Sequence, residues 1–301
     1  MDLKKLFKRK RKRRKSGSIA IPFMVTFLIS LVGIGGFTVY MLDYVRNNTL
    51  DTGEYDTPTA EAFVPDSDDN MTMLLIIDPR TAATEPYNFI VFRFLPKDEK
   101  VYIMPIPENT LSNVSNQRDT LSSFYLNAGV VTAEQAVENA LGFKIDRYLH
   151  CNAASFEKIT ELFGNVNFLV PQEFESSIGR GEYLFSGKDI SDIMFFSYYP
   201  GGEKERIIKA GTILTGLFNQ SSKAKVSENF EDKYVNLKED VDTDIDSTYF
   251  YGQVIAVKYL LEHASSPAEF VNPDGTYAME SQFIFNPDFL TKLKDKFKLN
   301  E

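Results

Sequence analysis

The sequence predicts a layered α/β domain, a sheet flanked by helices, carried behind one N-terminal transmembrane helix. Three observations predict it. Residues Ser16–Leu42 include no charged side chain, and the run Met73-Leu-Leu-Ile-Ile-Asp78 is continuously apolar and closed by a carboxylate. Beyond Val130 helical signals alternate with short strands. An apolar run of that length marks a strand buried on both faces, and alternating elements mark a sheet with helices packed on it.

The 301 residues are 43% hydrophobic and 25% charged, which excludes a wholly disordered or collagen-like chain. A single Cys, Cys151, excludes an internal disulfide framework and any multi-Cys metal site. With His150 and His263 the only histidines, a His-rich metal centre is excluded as well. Charge is split sharply. Residues 1–15 hold ten of the 33 Lys and Arg with one Asp, while the rest of the chain carries a net −18.

The first element explains that split. Ile19–Leu42 would span about 36 Å as a helix, enough to cross a hydrocarbon core of roughly 30 Å. It is too long for the apolar region of a cleaved signal peptide and ends in Tyr40-Met41-Leu42-Asp43 without a small-x-small site, so it reads as an uncleaved signal anchor. The basic cluster before it holds the N-terminus in the cytoplasm and puts everything after Asp43 outside the cell membrane. A nucleic-acid role for that cluster is the poorer explanation, because a basic run that abuts an apolar span is more simply a topology signal that also touches anionic lipid. The organisation is then a cytoplasmic tail (1–15), an anchor (16–42), a polar Asp-, Thr- and Pro-rich stalk (43–69) and an outer domain (70–301).

Within the outer domain, Asn88–Leu95 and Lys100–Ile106 read as two further strands joined by a turn at Pro96–Glu99. Thr132 followed by Gln135 opens a helix that stops at Gly142. Arg147–Cys151 is a short strand, Ser155 is expected to cap a helix running to Phe163, and Asn167–Val170 is a strand stopped by Pro171. Helices are expected at 188–196 and 203–218, a polar connector at 219–246, and closing helices near 248–264 and 287–298.

Standard catalytic signatures are absent: there is no G-x-S-x-G, no H-E-x-x-H and no Walker loop. Ser155-Phe-Glu-Lys158 matches S-x-x-K, but the S-D-N and K-T-G partners of that motif are missing. A chance match in a Ser- and Lys-rich chain is the better account.

An ordered series of blocks resembles the LytR-CpsA-Psr family of cell-envelope proteins. Met73–Arg80 looks like its first strand with a terminal Asp and nearby Arg, and Met104-Pro-Ile-Pro-Glu108-Asn109-Thr110 is similar to its S-I-P-R-D-T. Leu121–Gly129 looks like its Ala- and Tyr-rich helix, Ala136–Tyr148 resembles its V-E-x-L-L-G-I-x-I-D-Y-Y, and Phe156–Val170 resembles the block that ends at Pro171. Leu184–Gly187 and Val241–Ile245 resemble the closing motifs, so the likeness covers residues 70–298. The resemblance implies a three-layer α/β/α fold with a central mixed sheet. It also implies transfer of an anionic glycopolymer from a polyprenyl diphosphate to peptidoglycan, with arginines on the diphosphate and two carboxylates holding Mg²⁺. The expected partners are a polyprenyl-linked lipid, the membrane, and peptidoglycan or another envelope protein, with no nucleic acid.

Carried over residue by residue, the polar half of that site is eroded. Asp78 matches the first metal carboxylate, but the second falls on Asn88. The R-D of S-I-P-R-D-T becomes Glu108-Asn109, and the acid and R-x-x-R-Q of the last motif become Glu203, Arg206, Lys209 and Ala210. Tyr198-Tyr199 replace preceding arginines, leaving Arg206 and Arg80 as the catalytic clamp. Phe92 and Ile103 are expected beside a lipid channel, with Asn88, Glu108, Asn109, Glu203 and Lys209 around the substrate. The pattern fits a non-catalytic or weakly active relative that binds polyprenyl-linked intermediates or scaffolds envelope assembly. The alternatives are an active phosphotransferase with a diverged site and an unrelated exported interaction domain.

Overall fold

In a computed structural model the chain is described over residues 63–82, 84–161, 163–169, 181–220, 240–278 and 281–299. The basic tail, the expected membrane span, most of the stalk, Pro171 and most of the 219–246 connector lie outside these residues. Among the described residues no helix is long and apolar enough to cross a membrane. The compact unit that contains them runs Phe63–Glu301.

Strands β1 (Met71–Asp78), β2 (Asn88–Leu95) and β3 (Lys100–Ile106) form an antiparallel meander, with Leu74 opposite Val91 and Val91 opposite Met104. A 3₁₀ turn at Pro96–Asp98, closed by Glu99 in the left-handed region, joins β2 to β3 where the Pro-Lys-Asp-Glu turn is expected. A second hairpin, β4 (Leu111–Val114) and β5 (Gln117–Thr120), turns on Ser115 and Asn116 at φ 51° and 66°. Positive φ at both central residues matches the right-handed twist of the flanking strands. Helix α1 (Leu121–Leu141) follows, capped by Thr120 and ended by Gly142 at φ 72°. It is broken at Gly129, whose φ of 78° and ψ of −170° are not helical. The two helical segments expected from the sequence, one ending at Gly129 and one at Gly142, thus become the halves of one kinked element.

Strand β6 (Arg147–Asn152) runs parallel beside β1 and leads into α2 (Ala153–Glu161). The cap of α2 is Asn152, whose side-chain oxygen accepts from the Ser155 amide at 2.9 Å. Ser155 is inside the helix and 3% exposed, which corrects the expected cap. After β7 (Val166–Leu169) and β8 (Glu182–Phe185), a hairpin apart from the main sheet, come α3 (Gly187–Phe195) and α4 (Gly202–Asn219). The last elements are β9 (Asp242–Thr243), α5 (Ser247–His263), β10 (Ala268–Phe270), the β11 (Gly275–Ala278) and β12 (Gln282–Phe285) hairpin, and α6 (Pro287–Lys296).

The fold is mixed α/β, with six helices among the described residues and a central sheet of order β10-β3-β2-β1-β6-β9 containing parallel and antiparallel neighbours. Strand alternation divides its side chains into two cores. Met71, Leu75, Ile77, Ile90, Phe92 and Ile103 meet residues of α2, α3 and α4, such as Phe156, Met194 and Leu214. Leu74, Ile76, Phe89, Val91 and Met104 meet α1 and α6 on the other face. Full burial of each such side chain contributes roughly 1.5–3 kcal/mol, so the central strands are fixed in register and their ends are rigid platforms.

Candidate functional site

The polar residues singled out in the sequence converge at one end of the sheet. This end holds the carboxyl ends of β1, β3 and β6, the first residue of β2, and the N-terminus of α4. Crevices at strand carboxyl ends are where open α/β sheets commonly bind ligands. A cleft of about 790 Å³ opens there, lined by Tyr87, Glu108, Asn109, Glu203, Arg206 and Tyr277 among others. A neighbouring cleft of about 710 Å³ is lined by Asp78, Tyr125, Val131, His150 and Asp242. Ala82, Tyr87 and Leu126 border both.

Arg206 is the centre of the first cleft. It is 3% exposed, and its Nη1 donates to Asn88 Oδ1 at 2.8 Å while Nη2 lies 3.4 Å from Glu203 Oε1. The same Glu203 oxygen accepts from the Glu108 backbone amide at 3.0 Å. Glu108 in turn accepts from the Tyr87 amide at 2.9 Å. Burial pushes both carboxyls, Glu108 and Glu203, above their ordinary range, against the pull of Arg206. Asn109 lines the cleft, and its backbone oxygen accepts from Phe283 at 3.0 Å.

The other expected clamp residues are placed elsewhere. Arg80 is drawn to Asp192 on α3 at 2.7 Å and to Glu85 at 3.8 Å. Lys209, 1% exposed, pairs with Glu205 at 2.8 Å and sits 4.4 Å above the Tyr199 ring, so its charge is held inside the helix layer. Phe92 and Ile103, expected beside a lipid channel, are 4% and 0% exposed and belong to the packed core on the α4 face. Alternating apolar strand residues build a core whether or not a channel adjoins it, and the sequence pattern does not separate the two.

Asp78 has partners that sequence reading missed. The Tyr125 hydroxyl donates to Asp78 Oδ1 at 2.6 Å, and His150 Nε2 lies 3.0 Å from Oδ2. Tyr125 and His150 are also 2.9 Å apart. With the Tyr125 proton directed to Asp78, Nε2 is the ring nitrogen facing Asp78 Oδ2, and Nδ1 lies 3.9 Å from Asp242 Oδ2. Burial raises the Asp78 carboxyl, but the hydrogen bonds and charge from His150 and Tyr125 outweigh it and hold the group below its ordinary value. Parity along the strands is the signal that places it: Asp78 shares a face with Leu74 and Ile76, as His150 does with Tyr148.

These residues do not fit a magnesium site of the kind the resemblance implies. Such an ion takes hard oxygen ligands, usually from carboxylates. Both Asp78 oxygens are engaged, Asn88 is uncharged with its oxygen on a guanidinium, and the two side chains follow opposite faces of the sheet. Among the described residues no group of three His, Cys, Asp or Glu side chains is placed to hold a metal ion.

The carboxyl shifts predict a two-sided pH response. A depressed folded value, as at Asp78, stabilises above the ordinary carboxyl range and is lost as pH falls through it; raised values at Glu108 and Glu203 oppose folding while ionised. The melting temperature should therefore rise as pH is lowered from neutral, with Glu134, which burial pushes up to about 7, contributing beside Glu108 and Glu203, and fall again below about 3.8. Glu203→Gln should flatten the rise and Asp78→Asn the fall. A profile unchanged in both variants would contradict these assignments.

The fold and the cleft together define an α/β domain that presents a polar, partly buried pocket at strand ends. The chain belongs to the LytR_cpsA_psr family, whose model matches residues 40–282. Comparison with curated protein sequences gives no match. Among solved structures, a protein from Eubacterium siraeum classed as a transcription regulator shares 16% identity with a TM-score of 0.68, over 82% of this chain and 98% of the other. TagV from B. subtilis shares 17% identity with a TM-score of 0.55, over 76% of this chain and 96% of its own. TagT bound to LI-WTA shares 14% identity with a TM-score of 0.57, over 79% and 94%. At such identities the likeness is one of fold.

Proposed function

We propose that the protein is a membrane-anchored envelope member of its family that holds polyprenyl-linked glycopolymer intermediates and transfers them weakly or not at all. The observation that carries this reading is the closed contact of Arg206 with Asn88 and Glu203, at 2.8 and 3.4 Å, in a cleft that also presents Glu108. Transfer from a diphosphate carrier requires positive groups facing the leaving phosphate, and here the one buried arginine of the cleft is already occupied. Family membership and the structure of TagT bound to LI-WTA support the ligand class. The charge-free stretch Ser16–Leu42 behind ten basic residues supports an anchor with the domain outside the cell. An outer, acidic domain does not support DNA regulation, whatever the label of a structural neighbour.

The test uses the full chain in lipid nanodiscs with a radiolabelled polyprenyl-diphosphate-linked saccharide. Saturable retention of the labelled lipid, relative to empty discs, is expected. Retention no greater than that of empty discs would remove the ligand class from this reading.

A further inference from the structure

We propose that Leu126, Val131, Phe196 and Tyr198 form an apolar docking rim that seats the mouths of the two clefts on the outer face of the lipid bilayer. This rests on the reading above, that a membrane-anchored protein takes a lipid-linked ligand into the cleft, and adds which surface meets the membrane.

The four side chains come to the clefts from two parts of the fold. Leu126, which lines both clefts, and Val131, which lines the second, stand on either side of the break in α1 at Gly129 and are 62% and 67% exposed. The core face of α1 is supplied by Leu121, Phe124, Ala133, Ala136 and Val137, so packing against the sheet does not account for either. The second part is the segment joining α3 to α4. Its Ser197 lines the first cleft and donates to the carbonyl of Thr84, which lines the same cleft. The flanking Phe196 and Tyr198 are 45% and 75% exposed, their rings edge-on at 6.2 Å. Tyr199 meets Phe196 at 4.7 Å and its hydroxyl donates to the Ile193 carbonyl at 3.1 Å, which fixes the segment on α3. A single exposed apolar side chain is ordinary, whereas a set gathered around polar clefts marks an interaction surface.

The bilayer is the partner this rim fits. A ring that ends in a hydroxyl, beside a plain ring and two aliphatic side chains, suits the boundary between headgroups and acyl chains. Phe92 and Ile103, expected beside a lipid channel, are closed into the core, which leaves a polyprenyl tail the cleft mouth as its route to the membrane. The opposite end of the sheet has the contrary character. The β2–β3 turn exposes Lys97, Asp98 and Glu99, and Asp98 pairs with Lys298 at 2.9 Å. The length of β2 separates the two ends by about 25 Å. The rim carries no charge, and the clefts it borders hold Glu85, Glu108, Glu203, Asp78 and Asp242 against Lys204, Arg206 and His150. Contact is therefore by apolar insertion and needs no anionic lipid. An anchor makes that contact effectively intramolecular, so a small rim suffices.

The chain contains no Trp, so one introduced indole reports its own surroundings. Tyr198→Trp, Leu126→Trp and Lys97→Trp are made singly in the full chain and placed in nanodiscs of zwitterionic lipid, with or without brominated acyl chains. Brominated lipid is expected to quench about half or more of the emission of Tyr198→Trp and Leu126→Trp and to leave Lys97→Trp unchanged, at low and high salt. All three positions are exposed, and each variant is checked for wild-type melting. The inference is overturned if either rim indole escapes quenching, if Lys97→Trp is quenched as strongly, or if salt abolishes the effect. A rim indole whose emission moves to the blue without quenching by bromine would put protein, such as a second copy, on the rim, and would overturn it too. Its failure is distinct from failure of the functional reading, because retention of the polyprenyl-linked saccharide is measured on wild type in unbrominated discs.

Discussion

Glu108→Arg should raise the affinity of the cleft for inorganic diphosphate by about tenfold to a hundredfold, the gain expected from one new charge-assisted contact worth about 1.5–3 kcal/mol. The substitution replaces a half-buried acid by a guanidinium directly beside Glu203, which already lies on the Glu108 amide at 3.0 Å. Glu203 would then be shared between two arginines, leaving one positive charge over for the ligand. The loss is the acceptor for the Tyr87 amide at 2.9 Å, which a water at the cleft wall can replace. Asn88→Asp makes the instructive contrast. It also moves the chain towards its family, yet its carboxylate would fall 2.8 Å from Arg206 Nη1 and take that arginine as a buried ion pair. Diphosphate affinity should not rise with Asn88→Asp alone. Equal gains from the two variants would mean that the distribution of charge around Arg206 is misread.

Arg206→Met should be strongly destabilising. Arg206 is buried and holds three elements together: its own helix α4, the start of β2 through Asn88, and, through Glu203, the Glu108 loop after β3. Removing one member of a buried ionic contact leaves its partners uncompensated, at about 3–5 kcal/mol. For a domain of this size that corresponds to a fall of about 6–20 °C in melting temperature. Adding Glu203→Gln should recover about 1 kcal/mol or more, because the stranded charge is gone. A strictly additive double variant would show that Arg206 and Glu203 are not coupled.

Much of the frame is legible in the sequence, for a physical reason: core strands and helix caps are local patterns. The runs Met73–Ile77 and Asn88–Leu95 become β1 and β2, Gly142 ends α1, and the helix expected at 203–218 is found at Gly202–Asn219. The β4–β5 hairpin is not legible, because Gln117–Thr120 is a polar strand whose signal is the Ser115-Asn116 turn alone. The cap of α2 is missed by three residues, since Asn152 and Ser155 are both good caps and only the backbone path decides.

The site is legible in its residue types and not in its contacts. Asn88 and Arg206 are 118 positions apart, and Asp78 and His150 are 72 apart. Their pairing is a consequence of sheet order and strand parity, which no local pattern carries. Lys209 shows the reverse error. Its place in an R-x-x-R-like motif suggests a ligand contact, but one helical turn from Glu205 and above Tyr199 it finds nearer partners.

The most direct test of the central claim, that the protein holds a lipid-linked glycopolymer and transfers it weakly or not at all, is a single-turnover assay. The full chain in nanodiscs is loaded with a polyprenyl-diphosphate-linked saccharide and given peptidoglycan acceptor and magnesium, beside a family member that keeps both carboxylates and the arginines. The expected result is label retained on the lipid by this protein and passed to the acceptor by its relative. Comparable transfer by both would contradict the account.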